Sequence, residues 1–245
     1  MSSEPVAAKR AESDSAVTAV SPSVVRGPTS SRRRSIRFLA CAVTGGLFCL
    51  TGCGDPHAAE IEALASASPE DRRDAVLALR RVDGPITDAV VGALVVATTD
   101  ADPAVAGGAL DALADRRPGP EIDAAILAAV ADTRRRVALT AATTAARRGV
   151  ADEGVIAVLA REAAGGEIAA VIALGQAGPA AASALPTLTR IVTRGDVALL
   201  RTQSAVAIGL IGADEATRQV LERVVPQTSG TLRAALQESL AIPTD

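Results

Sequence analysis

From Glu60 to the C-terminus the apolar positions recur at helical spacing, as in Ile122, Ile126, Leu127 and Val130, which line one face of a helix. Residues 86–97, 121–131, 152–162, 181–193 and 217–225 all carry this pattern. Between them lies a second set of helical stretches, each with an apolar landmark near its end: Leu79, Leu113, Ala146, Leu174, Ile208 and Leu240. Their successive spacings are 34, 33, 28, 34 and 32 residues. A period near 30 with two helices per unit predicts an all-α chain, an α-solenoid of about five to six helical hairpins.

The residues between stretches agree with that period. Gly84, Gly119, Gly149, Gly178 and Gly212 each follow a first helix, where a left-handed C-terminal residue favours glycine. Asp100, Asp102, Asp132 and Asp196 fall between units, where an Asp caps the next helix. Pro103 suits a first turn, and Pro186 marks the start or a kink of a second helix. Aromatic residues make up 1% of the chain, so an isolated Ala-rich hairpin buries too little surface to offset its ordering cost. Stacked hairpins share one core.

Over residues 58–242 the chain resembles HEAT repeats of the short, phycobilisome-lyase-like bacterial type. The resemblance rests on Ala173-Leu174-Gly175-Gln176-Ala177-Gly178-Pro179, followed by Ala184-Leu185-Pro186-Thr187-Leu188, and on Ala205-Val206-Ala207-Ile208-Gly209-Leu210-Ile211-Gly212. Units of that family often carry an Arg seven residues before the landmark. Arg72, Arg201 and Arg233 fit, whereas Ala106, Leu139 and Glu167 depart, which breaks any regular polar ladder in the middle of the array. The resemblance implies a HEAT-like repeat domain over residues 60–245 that binds through a concave face made by the second helices.

Before Glu60 the pattern changes. Arg32, Arg33, Arg34 and Arg37 precede residues 38–50, an uncharged run of 13 residues that is apolar apart from Thr44. A membrane-spanning helix needs roughly 20 residues, so this is the layout of a cleaved signal peptide. It ends in Leu50-Thr51-Gly52-Cys53, which resembles the signal peptidase II site of bacterial lipoproteins. The resemblance implies cleavage between Gly52 and Cys53, lipidation of the Cys53 thiol, and a lipid-anchored location in the cell envelope. Residues 32–52 are then the signal peptide and 53–59 a tether. Residues 1–31, rich in Ser, Ala, Pro and Val, form a disordered leader or reflect a misassigned start. Ser31-Arg32-Arg33-Arg34-Ser35-Ile36 is also similar to a twin-arginine export signal, from which Arg37 departs.

Composition narrows the function. From Cys53 onward there is no Lys, Tyr, Trp, Phe, Met or Asn, and His57 is the only histidine. Most catalytic and metal-binding chemistry lacks its side chains, so neither an enzyme nor a bound cofactor or metal is expected. The same segment holds 18 Arg against 25 Asp and Glu, a formal balance of −7, which argues against nucleic-acid binding. With Cys41 and Cys49 in the signal peptide and Cys53 lipidated, no disulfide forms within the remaining domain.

One candidate binding feature repeats. Arg80-Arg81, Arg116-Arg117 and Arg147-Arg148 follow the first helix in three consecutive units and should stack along one edge, where they can grip an acidic partner or anionic headgroups. They also read, more simply, as cations at helix C-termini. Arg134-Arg135-Arg136 reads as a solvated helix start, although cations oppose the dipole there. Asp100-x-Asp102 and Asp152-Glu153 read as caps rather than cation sites. The expected function is a membrane-anchored protein-interaction scaffold with an unknown protein partner. The alternative is a regulatory or lyase-associated subunit that holds a cofactor or an enzyme partner.

Overall fold

The computed structural model describes residues 55–82 and 86–242, which are helical throughout with no strand. The signal-peptide segment, Gly52, Cys53 and Gly84 lie outside the described residues. Twelve α-helices follow in order: α1 (Ala58–Leu64), α2 (Pro69–Arg80), α3 (Asp88–Ala97), α4 (Pro103–Ala114), α5 (Pro120–Val130) and α6 (Arg135–Arg147), then α7 (Glu153–Ala164), α8 (Ile168–Ala177), α9 (Leu185–Arg194), α10 (Ala198–Ile211), α11 (Glu215–Val224) and α12 (Gly230–Ala241). A 3₁₀ stretch, Gly178–Ala184, joins α8 to α9.

Local chemistry sets where these helices start. Ser68, Thr87, Asp102, Asp152 and Asp214 each accept a hydrogen bond from a backbone N–H in the first turn that follows. Pro69, Pro103 and Pro120 occupy first helical positions, where a missing N–H costs nothing. Asp132 and Asp196 differ from the expected caps. The residues preceding α6 and α10 are Arg134 and Val197, and neither helix has a side-chain cap. Asp132 instead accepts the N–H of Arg134 at 2.7 Å, which shapes the turn rather than the helix.

Helix ends show a similar split. Gly149, Gly178 and Gly212 have φ of 73°, 59° and 92°, the region that other residues avoid. Gly119 does not. With φ −156° it is the extended residue just before α5.

Packing is two-rowed along the chain. Each even-numbered helix touches the next even-numbered one from α2 to α12, and each odd-numbered helix touches the next odd-numbered one from α1 to α11. Large apolar side chains fill the core, among them Leu79, Leu94, Leu110, Leu113, Ile126, Leu159, Leu174, Leu188 and Ile208. Five landmarks read from the sequence are buried, while in α12 the buried residue is Leu236 and Leu240 is only partly covered.

Even-row helices meet through small residues. A Cβ on Gly175 would lie 3.2 Å from Ala207 Cα, and one on Gly209 would lie 3.1 Å from Ser239 Cα. Odd-row neighbours are less closely packed, leaving apolar grooves of about 360 Å³ between α1 and α3 and about 330 Å³ between α3 and α5. The exposed face of α12 is polar or small (Thr231, Arg233, Ala234, Gln237, Glu238).

Residues Ile168–Arg194 are long and apolar enough to cross a membrane by length and composition. The stretch is broken at Gly178 and at Ala181, whose backbone is non-helical. Val171, Leu174, Leu188 and Val192 within it are buried against the rest of the fold, as core helices are.

Candidate functional site

The arginines that follow α2, α4 and α6 divide into two groups. The last carbonyls of an α-helix have no partner within it, and a guanidinium with five fixed donors can satisfy several at once. Arg116 bonds the carbonyl of Ala112 through Nε at 3.0 Å. It then reaches across to α2, donating to Val82 O at 3.2 Å and Leu79 O at 3.1 Å. Arg148 repeats this one unit on, donating through Nη1 to Leu113 O and Arg116 O, both at 2.9 Å, and to Ala114 O at 3.3 Å. Its Nε and Nη2 also engage Asp123 at 2.9 and 2.8 Å, and its side chain is only 5% exposed.

Arg116 and Arg148 are therefore joints between units rather than free surface. Arg81, Arg117 and Arg147 are exposed, and Arg80 is half-exposed with Asp111 at 3.4 Å. A groove of about 400 Å³ opens on this edge, lined by Ile86, Val91, Arg117, Pro118 and Glu121 among others. Acidic side chains are interleaved with the cations, Asp88, Asp115 and Glu121 all contributing to the groove.

The opposite edge carries a polar ladder that the sequence reading did not assemble. Ser66, Asp100 and Asp132 each accept, through the side chain, the N–H of the residue two positions on, at 3.1, 2.7 and 2.7 Å. Arg72 forks onto Asp100, with Nε to Oδ2 at 2.7 Å and Nη2 to Oδ1 at 2.9 Å, and its Nη1 donates to Ser66 O at 3.0 Å. Arg201 and Arg233, which share Arg72's repeat position, likewise reach back to main-chain carbonyls, those of Val192 and Pro226. In the middle, where Leu139 breaks that pattern, Arg134 bonds Asp132 and donates to Asp100 O at 2.7 Å and Ala101 O at 3.0 Å. The signal was present in the spacing of Ser66, Asp100 and Asp132, but only the fold shows which arginine closes each rung.

Those contacts also explain how α6 opens on a run of arginines. Arg134 is neutralised by Asp132, and Arg135 pairs at 2.6 Å with Glu162, a buried carboxylate on α7. Arg135 chiefly, with Arg161, holds the Glu162 carboxyl below its ordinary range. Arg72 does the same for Asp100, and Arg134 for Asp132. Asp102, bound by Arg73 and by the N–H groups of Ala104 and Val105, is lowered to about 2. Among the described residues no cluster of three or more His, Cys, Asp or Glu could hold a metal ion.

Near the N-terminus, α1 begins at Ala58, within the stretch read as a tether. Asp55 accepts the N–H of His57 at 2.8 Å and the hydroxyl of Thr87, just before α3. Cys53 and the Gly52 cleavage position fall outside the described residues. Compared with protein-family models and with curated proteins, the chain matches none.

Proposed function

We propose that the chain is an exported lipoprotein, anchored through Cys53, whose helices form a HEAT-like α-solenoid that serves as a protein-interaction scaffold. The observation that carries this reading is the two-row contact order, in which alternate helices touch and arginines bond the carbonyls of the preceding unit. An array of that kind presents a long, continuous surface whose stability does not depend on any one site. The odd-row face is the proposed binding surface. Its grooves between α1 and α3 and between α3 and α5 accept apolar side chains of a partner, and Val96 beside the first is 72% exposed.

The test has two parts. Mass spectrometry of the membrane-fraction protein should find a chain that starts at Cys53 and carries acyl mass. A chain that retains residues 32–52 overturns the address. Crosslinking in the envelope should then capture a protein partner that is lost in Val96→Glu, with the melting temperature unchanged. Capture that survives Val96→Glu and comparable substitutions along the odd row overturns the proposed face.

A further inference from the structure

We infer that the corner of the fold where α1 begins, α2 ends and α3 begins is seated directly on the bilayer surface. This rests on the lipid-anchor reading above. The argument is one of reach. Asp55 is held by three contacts: its carboxylate receives the Thr87 hydroxyl and the His57 N–H, and its carbonyl receives the Ala58 N–H at 3.0 Å; two residues on, the His57 carbonyl receives the Ile61 N–H. Cys53 lies two residues before this fixed point. Two residues span at most about 7 Å even when fully extended. The headgroup layer is itself about 5–7 Å deep, so a lipidated Cys53 leaves no room for the domain to stand away from the membrane.

The side chains at that corner are therefore those that meet the headgroups. Among the described residues they are Arg80 and Arg81 at the end of α2, with Thr87 and Asp88 opening α3. Both arginines are exposed and have long apolar stems, which suit an interface that is apolar on one side and polar on the other. The mixed charge here means that attraction to anionic lipid is not what orients the molecule. The tether does so, and the same orientation holds on zwitterionic membranes. The other end of α3 is set back. That helix has 10 residues, about 15 Å at the helical rise, so Thr99 and the α1–α3 groove mouth beside it lie about that far along α3 from its tethered end. Helix α11 lies four odd-row steps beyond α3, and α12 packs against α10 and α11.

The mature chain makes the test simple, because its only thiol is used by the lipid and one introduced cysteine is then a unique labelling site. Arg81→Cys, Thr99→Cys and Gln227→Cys, all at exposed positions, are each purified as lipidated protein and labelled with a bimane fluorophore. Each is inserted into phosphatidylcholine vesicles that contain a headgroup spin-labelled lipid quencher. Quenching at position 81 is expected to be several-fold greater than at 99 or 227. Ten flexible Gly/Ser residues inserted between Gly54 and Asp55 span about 18 Å on average and should abolish that excess. Equal quenching at all three positions, or an excess at 81 that survives the insertion, overturns the seated corner while leaving the anchor standing. Absence of acyl mass on the purified chain overturns the anchor reading and the inference with it.

Discussion

Arg148 donates a hydrogen bond from Nη1 to the main-chain carbonyl of Arg116 at 2.9 Å, while Arg116 reaches back in the same way to the carbonyls of Leu79 and Val82. Arg116 thus closes the end of α2, and Arg148 the end of α4. The two residues were legible in the sequence as members of a cationic stripe. Their inward direction was not.

Removing Arg148 is expected to be costly. Arg148→Ala removes the guanidinium donor from the carbonyls of Leu113, Ala114 and Arg116 and leaves Asp123 without its cation, a loss of about 3 kcal/mol. Arg148→Lys should recover little, since a single ammonium cannot reproduce the planar fork. Arg147→Ala, at an exposed position, should stay within about 0.5 kcal/mol of the parent. Urea denaturation of the three variants checks the contrast.

Glycine substitutions should split by sign. Gly209→Ala places a Cβ 3.0 Å from Ser239 Cβ and 3.1 Å from its Cα, a backbone contact that cannot move aside, so α10 and α12 must separate at a cost of about 1–3 kcal/mol. Gly92→Ala meets nothing within 4 Å on α3 and should stabilise by up to about 1 kcal/mol through helix propensity alone. Thermal unfolding of both variants gives the answer directly.

Acid should weaken the fold in a definite window. The carboxylates of Asp100, Asp102, Asp132, Glu162 and Asp214 are all held below their ordinary values by arginine pairing or by Thr217. Folding therefore favours their ionised forms. The stability they contribute is complete above the ordinary carboxylate range of about 4 and is lost as pH falls toward the Asp102 value of about 2. Urea midpoints measured from pH 7 down to pH 2 should fall mainly over that interval. Asp102→Asn should lower the midpoint at pH 7 and flatten the acid limb.

Ser204 offers a stabilising change. It is fully buried in α10, and its hydroxyl has no hydrogen-bond partner among the described residues. Ser204→Ala removes an unsatisfied polar group and improves helix propensity, so the melting temperature should hold or rise. A clear fall would reveal a partner for that hydroxyl.

How much of this fold could be read from the sequence follows the range of the forces involved. The stretches 121–131 and 152–162 match α5 and α7 closely, because apolar periodicity and capping act within a few residues. The stretch 181–193 began inside the 3₁₀ run, since nothing local distinguishes Ala181–Ala184 from helix. Gly119 was placed at a helix end and Asp132 at a cap because the lengths of the turns around them are set by how successive units dock. The same holds for the arginine joints. Arg116 turns inward while Arg117 stays exposed, and that choice depends on where the α2 carbonyls lie across the interface.

The Arg116 and Arg148 joints have a consequence for how such an array can change over time. Most of the acceptors named for these two arginines are main-chain carbonyls, with the Asp123 carboxylate as the side-chain exception at Arg148, so most accepting positions are under little constraint as to residue type. The segments that supply those carbonyls can change in sequence while the contacts keep their geometry. The memory of the joint is carried by the donor and, at Arg148, by Asp123.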